Sequence, residues 1–81
     1  MTPEEIKQLI ETGIPACQAF VTGDGHKFEA TVISSTFGQL TTVKRHQHVY
    51  RTVNEQITSG ALHALTIKSY TPEEWAARKD S

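Results

Sequence analysis

Residues 62–75 read LHALTIKSYTPEEW, and this segment carries the two patterns that decide the fold. In its first half Leu65 and Ile67 alternate with polar residues, which is typical of a strand with one buried face. Its second half opens with TPEE, a capping box with proline at the first helical position, so a helix begins there. The segment therefore predicts a strand over Leu62–Tyr70 and a short final helix whose Trp75 packs back on the domain.

Two helical regions precede this strand. The first opens with another capping box, TPEE at residues 2–5, and we predict that it ends at Gly13, a left-handed stop. The second is capped by Thr41 or Thr42 and ends just before Gly60. Its apolar positions are Val43, Val49, Tyr50, Val53 and Ile57. This imperfect stripe favours two short helices or a kink over one straight helix.

A β-hairpin is predicted between the two helical regions. The segments Ala16–Thr22 and Phe28–Ser34 both alternate, and the sequence GDG at residues 23–25 is a strong turn signal. The tip of this hairpin would display His26 and Lys27. The resulting order of elements, αββααβα, predicts an α+β domain with a three-stranded sheet.

Length, composition and charge restrict the class of protein. The chain has 81 residues, of which 37% are hydrophobic and 21% charged, so we expect one globular domain over residues 1–81. A net charge of −1 predicts no general attraction to nucleic acid or to an anionic membrane. The single cysteine, Cys17, excludes an internal disulfide framework. We expect a soluble intracellular protein, or the mature form of an imported one.

Three parts of the sequence together resemble the BolA family. They are the hairpin turn GDG at residues 23–25, the segment VKRHQHVY at residues 43–50, and the final pattern at residues 62–75. The resemblance covers nearly the whole chain. It implies an αββααβ fold like that of class II KH domains, with helices packed on one face of three strands.

The resemblance also implies a non-enzymatic role. BolA proteins pair with monothiol glutaredoxins and share with them a [2Fe–2S] cluster that carries glutathione, in cluster trafficking or iron and stress regulation. We therefore expect a heterodimer with a glutaredoxin, no metal in the isolated protein and no membrane partner. The resemblance also implies a bacterial cytoplasmic protein, or the mature form of a mitochondrial matrix protein. Some members are described as transcriptional regulators of cell shape and stress responses, so nucleic-acid binding is the alternative hypothesis. The sequence leaves open whether the chain also forms a homodimer.

His63 and His26 are the candidate metal ligands. Taken alone, a histidine at the entrance of a strand fits either a core histidine bonded to a nearby carbonyl or a ligand for iron, zinc or copper. The family's C-terminal histidine matches His63, and its second ligand lies in the loop between the first two strands, where His26 is the candidate. Taken alone, a histidine at an exposed hairpin tip fits equally well a solvated side chain. Relatives tend to carry this ligand directly before the aromatic residue of the second strand, a position that Lys27 holds here. If His26 does not ligate, Cys17 is the only thiol, although a cysteine on an apolar strand face is usually inert.

A basic segment forms the second candidate site. Between Glu29 and Glu55 there is no acidic residue. The segment contains Lys44, Arg45, His46, His48 and Arg51. These side chains fit a solvated helix face, a docking surface for an acidic or glutathione-bearing partner, or weak contacts to phosphates. The sequence has no Gly-x-x-Gly loop of the kind with which KH domains clamp RNA, and no Ser-His-acid pattern that would favour an enzyme.

Overall fold

The computed structural model describes residues 1–79, with side chains through residue 78, so the last residues of the predicted domain lie outside the described part. The helices are α1 (Pro3–Gly13), α2 (Thr42–Thr52), α3 (Asn54–Thr58) and α4 (Pro72–Lys79), and the strands are β1 (Cys17–Gly23), β2 (Lys27–Ser34) and β3 (Ala64–Tyr70). The predicted order is confirmed, including the division of the second helical region into two helices. Among the described residues, no helix is long and apolar enough to cross a bilayer.

The sheet is mixed and has the spatial order β1-β2-β3. Strand β1 runs antiparallel to β2, as expected for a hairpin, whereas β2 and β3 are parallel. The parallel register pairs Lys27 with Ala64 and Ile33 with Tyr70. Because parallel strands begin at the same end of a sheet, the hairpin turn before β2 and the loop before β3 come together.

One face of the sheet packs against α1 and α2 and forms the core. The helices contribute two pairs of residues spaced four apart, none of which has any exposed surface: Ile6, Ile10, Val49 and Val53. The strands contribute alternate residues, which are Ala19, Phe28, Ala30, Val32 and Ile67. Each large aliphatic side chain buried here stabilises the fold by about 1.5–3 kcal/mol. The predicted alternation is confirmed, but β3 begins at Ala64 and not at the predicted Leu62, so His63 lies just before the strand.

The other face of the sheet is partly covered by α4. The ring of Trp75 stacks on Phe20 with 5.9 Å between the ring centroids, and it lies 5.4 Å from the Tyr70 ring. By strand alternation, Phe20 and Tyr70 lie on the face opposite the core. The prediction that Trp75 packs back on the domain is confirmed, and it does so on the face that α1 and α2 leave open.

The start of α4 is held by a carboxylate and a guanidinium. The side chains of Thr71 and Glu74 each accept a hydrogen bond from the other residue's N–H, so the predicted capping box is present. The Glu74 carboxylate also accepts from both terminal nitrogens of Arg45, at 2.8 and 3.4 Å. The Arg45 Nε donates to the carbonyl oxygens of Phe37 and Leu40, each at 3.1 Å. One guanidinium thereby joins α2, the loop before it and α4.

The exposed edge of β1 is closed by two side chains of α1. The Glu11 carboxylate accepts from the N–H of Ala19 at 2.9 Å, and the Lys7 ammonium donates to the carbonyl oxygen of Ala19 at 2.9 Å. The two side chains also form an ion pair at 2.7 Å. Occupying the free backbone groups of an edge strand discourages pairing with other chains.

The prediction that Gly13 is a left-handed stop is wrong. Only Gly25 and Gly60, at φ 98° and 82°, have a positive φ among the described glycines. At Gly13 an added Cβ would stand 2.6 Å from the Cγ2 of Thr52 and 3.1 Å from its Cβ. Glycine is therefore required here because α1 and α2 approach each other closely, not because of backbone conformation.

We predict that Gly13→Ala destabilises the protein by about 1 kcal/mol, although alanine is intrinsically the better helix former, because overpacking outweighs propensity. The Thr52 rotamer is held by its hydrogen bond to the carbonyl oxygen of Val49, so the methyl group does not move away freely. Urea unfolding of both single variants and the double variant with Thr52→Ala would measure this. The double variant should recover most of the loss, and a Gly13→Ala protein more stable than wild type would contradict the explanation.

We also predict that stability falls on acidification below about pH 4.5, the ordinary range of a glutamate. The Lys7 ammonium lowers the pKa of Glu11, and the Arg45 guanidinium lowers the pKa of Glu74. A lowered folded-state pKa gives stability that is present above the unfolded pKa and lost as pH falls through the folded one. The urea midpoint measured between pH 7 and pH 3 should show this loss. In Glu11→Gln the midpoint should fall less steeply with decreasing pH than in wild type. Glu4→Gln, which changes an exposed carboxylate outside both contacts, is the control and should keep the wild-type slope.

Candidate functional site

The two candidate ligands, His26 and His63, lie at the same end of the sheet. The register pairs Lys27 with Ala64, so one step back along each strand leads to His26 and His63. Neighbouring strands are about 4.8 Å apart, which brings the two backbones close at this point. We call this pair the histidine end.

Each histidine lies two residues before a strand residue that faces the core helices, but outside the strand itself. Phe28 and Leu65 face the core helices, and two residues before them are His26 and His63. Lys27 belongs to the opposite face. Lys27, at the position where the family resemblance places the second ligand, is therefore on the face opposite Phe28.

The chemistry of the histidine end suits a metal centre completed by another molecule. Both residues are exposed, and within residues 1–79 neither imidazole makes a hydrogen bond, while the Asp24 carboxylate and the His26 imidazole interact through charge alone. A neutral imidazole with an available nitrogen is a ligand for iron, zinc and copper. Across the described part of the chain, no three or more His, Cys, Asp or Glu residues gather where they could hold a metal ion. The histidine end thus offers at most two ligands.

A carboxylate organises the turn that carries His26. Asp24 Oδ1 accepts from the backbone N–H groups of His26 and Lys27, both at 2.9 Å. The hydrogen bond from the Lys27 N–H, and to a smaller extent that from the His26 N–H, lowers the pKa of Asp24. The carboxyl group is therefore ionised at neutral pH. Gly25, with its positive φ, allows the chain to reverse within this turn.

Cys17 is too distant to replace His26 as a ligand. It pairs with Ser34 at the far end of β2, about 25 Å from the histidine end at the rise of a β-strand. Burial, and to a smaller extent the Glu11 carboxylate, raise the pKa of the Cys17 thiol to about 11. The thiol is therefore protonated at neutral pH, and the structure offers it no route to a centre shared with His63.

The basic segment divides into one structural residue and several surface residues. Arg45 is committed to the fold by its contacts to Glu74 and to two carbonyl groups, and only 11% of its side chain is exposed. The expectation that Arg45 takes part in docking or phosphate contact therefore lacks support. Lys44, His48 and Arg51 are exposed and follow one side of α2 at spacings of four and three, whereas His46 is half-buried. We call Lys44 and Arg51 the basic face.

An apolar surface that the sequence analysis did not single out lies next to the basic face. Val43, Tyr50 and Ile57 recur every seven residues and have exposed fractions of 66%, 41% and 39%. We call these residues the apolar strip. In the sequence they look like core positions of α2 and α3, and Val49 and Val53 do occupy the core. The seven-residue spacing of the strip is the sequence signal that would have distinguished it from the core residues Val49 and Val53.

The apolar strip reaches the start of β3. The hydroxyl group of Tyr50 donates to the carbonyl oxygen of Leu65 at 3.1 Å. The N–H of Leu62 donates to the carbonyl oxygen of Gln56 at 3.0 Å, beside Ile57. Since His63 lies between Leu62 and Leu65, the strip and the histidine end are neighbouring parts of one surface.

Comparison with known proteins places this chain among BolA-like proteins. The family model described as BolA-like protein matches residues 7–74. The acid stress protein IbaG of Escherichia coli strain K12 is 34% identical over 76 residues, which cover 94% of this chain and 90% of the relative. The protein named DNA-binding transcriptional regulator BolA of Haemophilus influenzae is 34% identical over 59 residues, which cover 73% of this chain and 56% of that relative.

A solved structure supports the same assignment. The bolA protein homologue from Coxiella burnetii is 42% identical, with a TM-score of 0.85 over 94% of this chain and 97% of that one. The fold expected from the resemblance is thereby confirmed. The sequence match, the fold and the order of elements agree, and the chain belongs to the BolA family.

Proposed function

We propose that this chain is a non-enzymatic adaptor that binds a monothiol glutaredoxin and helps ligate a [2Fe–2S] cluster that also carries glutathione. The observation that carries the proposal is the histidine end, where two exposed histidines directly precede the paired first residues of β2 and β3. A core histidine would be expected to bond a neighbouring group, and the His63 imidazole does not do so within the described residues.

The number of ligands supports a shared centre. A [2Fe–2S] cluster is held by four ligands, and clusters with two histidines and two thiolates are known in proteins. His26 and His63 would provide two ligands, and the cysteine of the glutaredoxin and the thiol of glutathione would provide the other two. Such a centre would have a higher reduction potential than one held by four thiolates.

The surface beside the histidine end supports a protein partner. The apolar strip exposes apolar side chains to solvent, which does not stabilise a monomer. The strip also reaches the start of β3, close to the loop that carries His63. Lys44 and Arg51 border the strip on α2 and would attract a partner with carboxylates at its rim. We propose that the glutaredoxin docks on the apolar strip, with the basic face steering its approach.

Nucleic-acid binding is the second candidate function, and the basic face is the observation that favours it. One relative carries the name of a DNA-binding regulator. The exposed residues Lys44, His48 and Arg51 lie on one side of α2, where a helix could approach a phosphate backbone. Two fixed positive charges would give weak binding that depends steeply on salt.

The ligand hypothesis predicts a spectral difference. Adding this protein to a cluster-loaded glutaredoxin should change the visible absorption and circular dichroism, and His63→Ala should abolish the change because a ligand is missing. His26→Ala should reduce it, and His63→Cys should restore binding with a different spectrum, since a thiolate replaces an imidazole.

Thr66→Ala is the control for disturbance of β3, because Thr66 is exposed on the opposite face of the same strand. It should leave the spectral change intact. A His63→Ala protein that still produced the wild-type spectrum would rule out His63 as a ligand. If that variant instead bound the glutaredoxin with unchanged affinity and no spectral change, complex formation would not depend on ligation.

The docking hypothesis predicts that Val43→Glu weakens glutaredoxin binding at least tenfold, about 1.4 kcal/mol, because a charge replaces an apolar contact. Since the Val43 side chain is largely exposed, the thermal midpoint should change little. Titration calorimetry would measure the affinity. Gln18→Glu adds the same charge on β1, at the other edge of the sheet, and should bind normally. Equal loss in both variants would assign the effect to net charge and refute the apolar strip.

The nucleic-acid hypothesis predicts that DNA affinity falls steeply with salt and that Lys44→Ala/Arg51→Ala reduces the slope of log K against log salt by about 1.8. Fluorescence anisotropy at several salt concentrations would give this slope. Arg45 is unsuitable for this test, because its replacement would disturb the contact to Glu74. His63→Ala should bind DNA like wild type, and a loss of DNA binding in His63→Ala would contradict the separation of the two surfaces.

A further inference from the structure

The turn between β1 and β2 is fastened to the first residues of β2 by one side chain. Asp24 Oδ1 accepts hydrogen bonds from the backbone N–H groups of His26 and Lys27, at 2.9 Å each. The Asp24 N–H donates to the carbonyl oxygen of Lys27 at 3.3 Å. Three hydrogen bonds therefore connect residue 24 to residues 26 and 27. They do not involve the His26 imidazole, which stays available.

These bonds control the position of the His26 backbone relative to β3. Lys27 is the first residue of β2 and pairs with Ala64, whereas His26 lies outside the strand and has no strand partner of its own. Gly25 on its other side has open space around it, so nothing packs against the turn there. Without the carboxylate, His26 would be attached to the sheet only through Lys27 and would sample positions away from His63.

We propose that Asp24 is the positioning residue that holds His26 level with His63, so that the two imidazoles act as one chelating pair. The inference rests on the proposed function, because it assigns Asp24 to the same two-histidine site. It adds a group outside the ligand set, which acts through the backbone of its neighbour. Loss of groups that orient metal ligands typically lowers metal affinity by 10- to 100-fold.

The test uses Cu²⁺ as a probe and the isolated protein, so that it does not depend on a glutaredoxin. Paramagnetic broadening of the His26 and His63 ring signals in NMR spectra would follow Cu²⁺ binding at each ring separately. In wild type we expect both rings to broaden at the same Cu²⁺ concentration. In Asp24→Ala, broadening of the His26 ring should require about tenfold more Cu²⁺, and Asp24→Asn should behave within twofold of wild type because its amide oxygen still accepts both N–H groups.

A stability control separates positioning from general destabilisation. Thr71→Ala removes the N-cap hydrogen bond of α4, which begins just after the end of β3 that lies away from His63, and should lower the thermal midpoint without changing Cu²⁺ binding at either ring. The inference is overturned if the two rings respond at unrelated Cu²⁺ concentrations in wild type, or if Asp24→Ala binds like wild type. If mixing this protein with a cluster-loaded glutaredoxin gave no spectral change, the proposed function would be refuted. The Cu²⁺ titration would still decide the role of Asp24.

Discussion

The parallel pairing of β2 with β3 determines where every candidate functional group lies. It brings the hairpin turn and the entrance of β3 to one end of the sheet, so that His26 and His63 become neighbours although 36 positions separate them in the sequence. An antiparallel third strand would have left His63 near Ser34, about 25 Å away. A parallel connection also requires a long crossover, and here α2 and α3 form it. The parallel pairing therefore requires the long connection whose helices carry the apolar strip.

A domain of this size has a small core and relies on polar side chains to complete its packing. Arg45 joins α2 to α4 through Glu74, and Lys7 with Glu11 closes the edge of β1. These charges are engaged in contacts within the fold, however conspicuous they are in the sequence. The charged residues that remain on the surface of α2 are few, and they border an apolar strip rather than forming a broad basic patch. This arrangement is more suited to a protein partner than to a nucleic acid.

The histidine end is chemically incomplete by itself, and this incompleteness is consistent with the proposed adaptor role. An enzyme site normally gathers a nucleophile, a base and an orienting group around a cleft. Here two exposed histidines precede β2 and β3 at one end of the sheet, and Asp24 binds the backbone N–H of His26. In the proposed centre, these two ligands would need a second molecule to complete the set.

The sequence by itself determined the elements, because capping boxes, alternation and turn residues are local signals: both TPEE helices, the GDG hairpin and the break between α2 and α3 are confirmed. It also identified His63 and His26 as candidates through the family resemblance. Only the tertiary structure decided which residues meet. It showed that Gly13 is required by Thr52, that Arg45 is internal, that Cys17 lies at the opposite end of the sheet, and that His26 and His63 directly precede the paired residues Lys27 and Ala64. These facts depend on strand register and on contacts between distant segments. Neither of these produces a local or periodic pattern in the sequence.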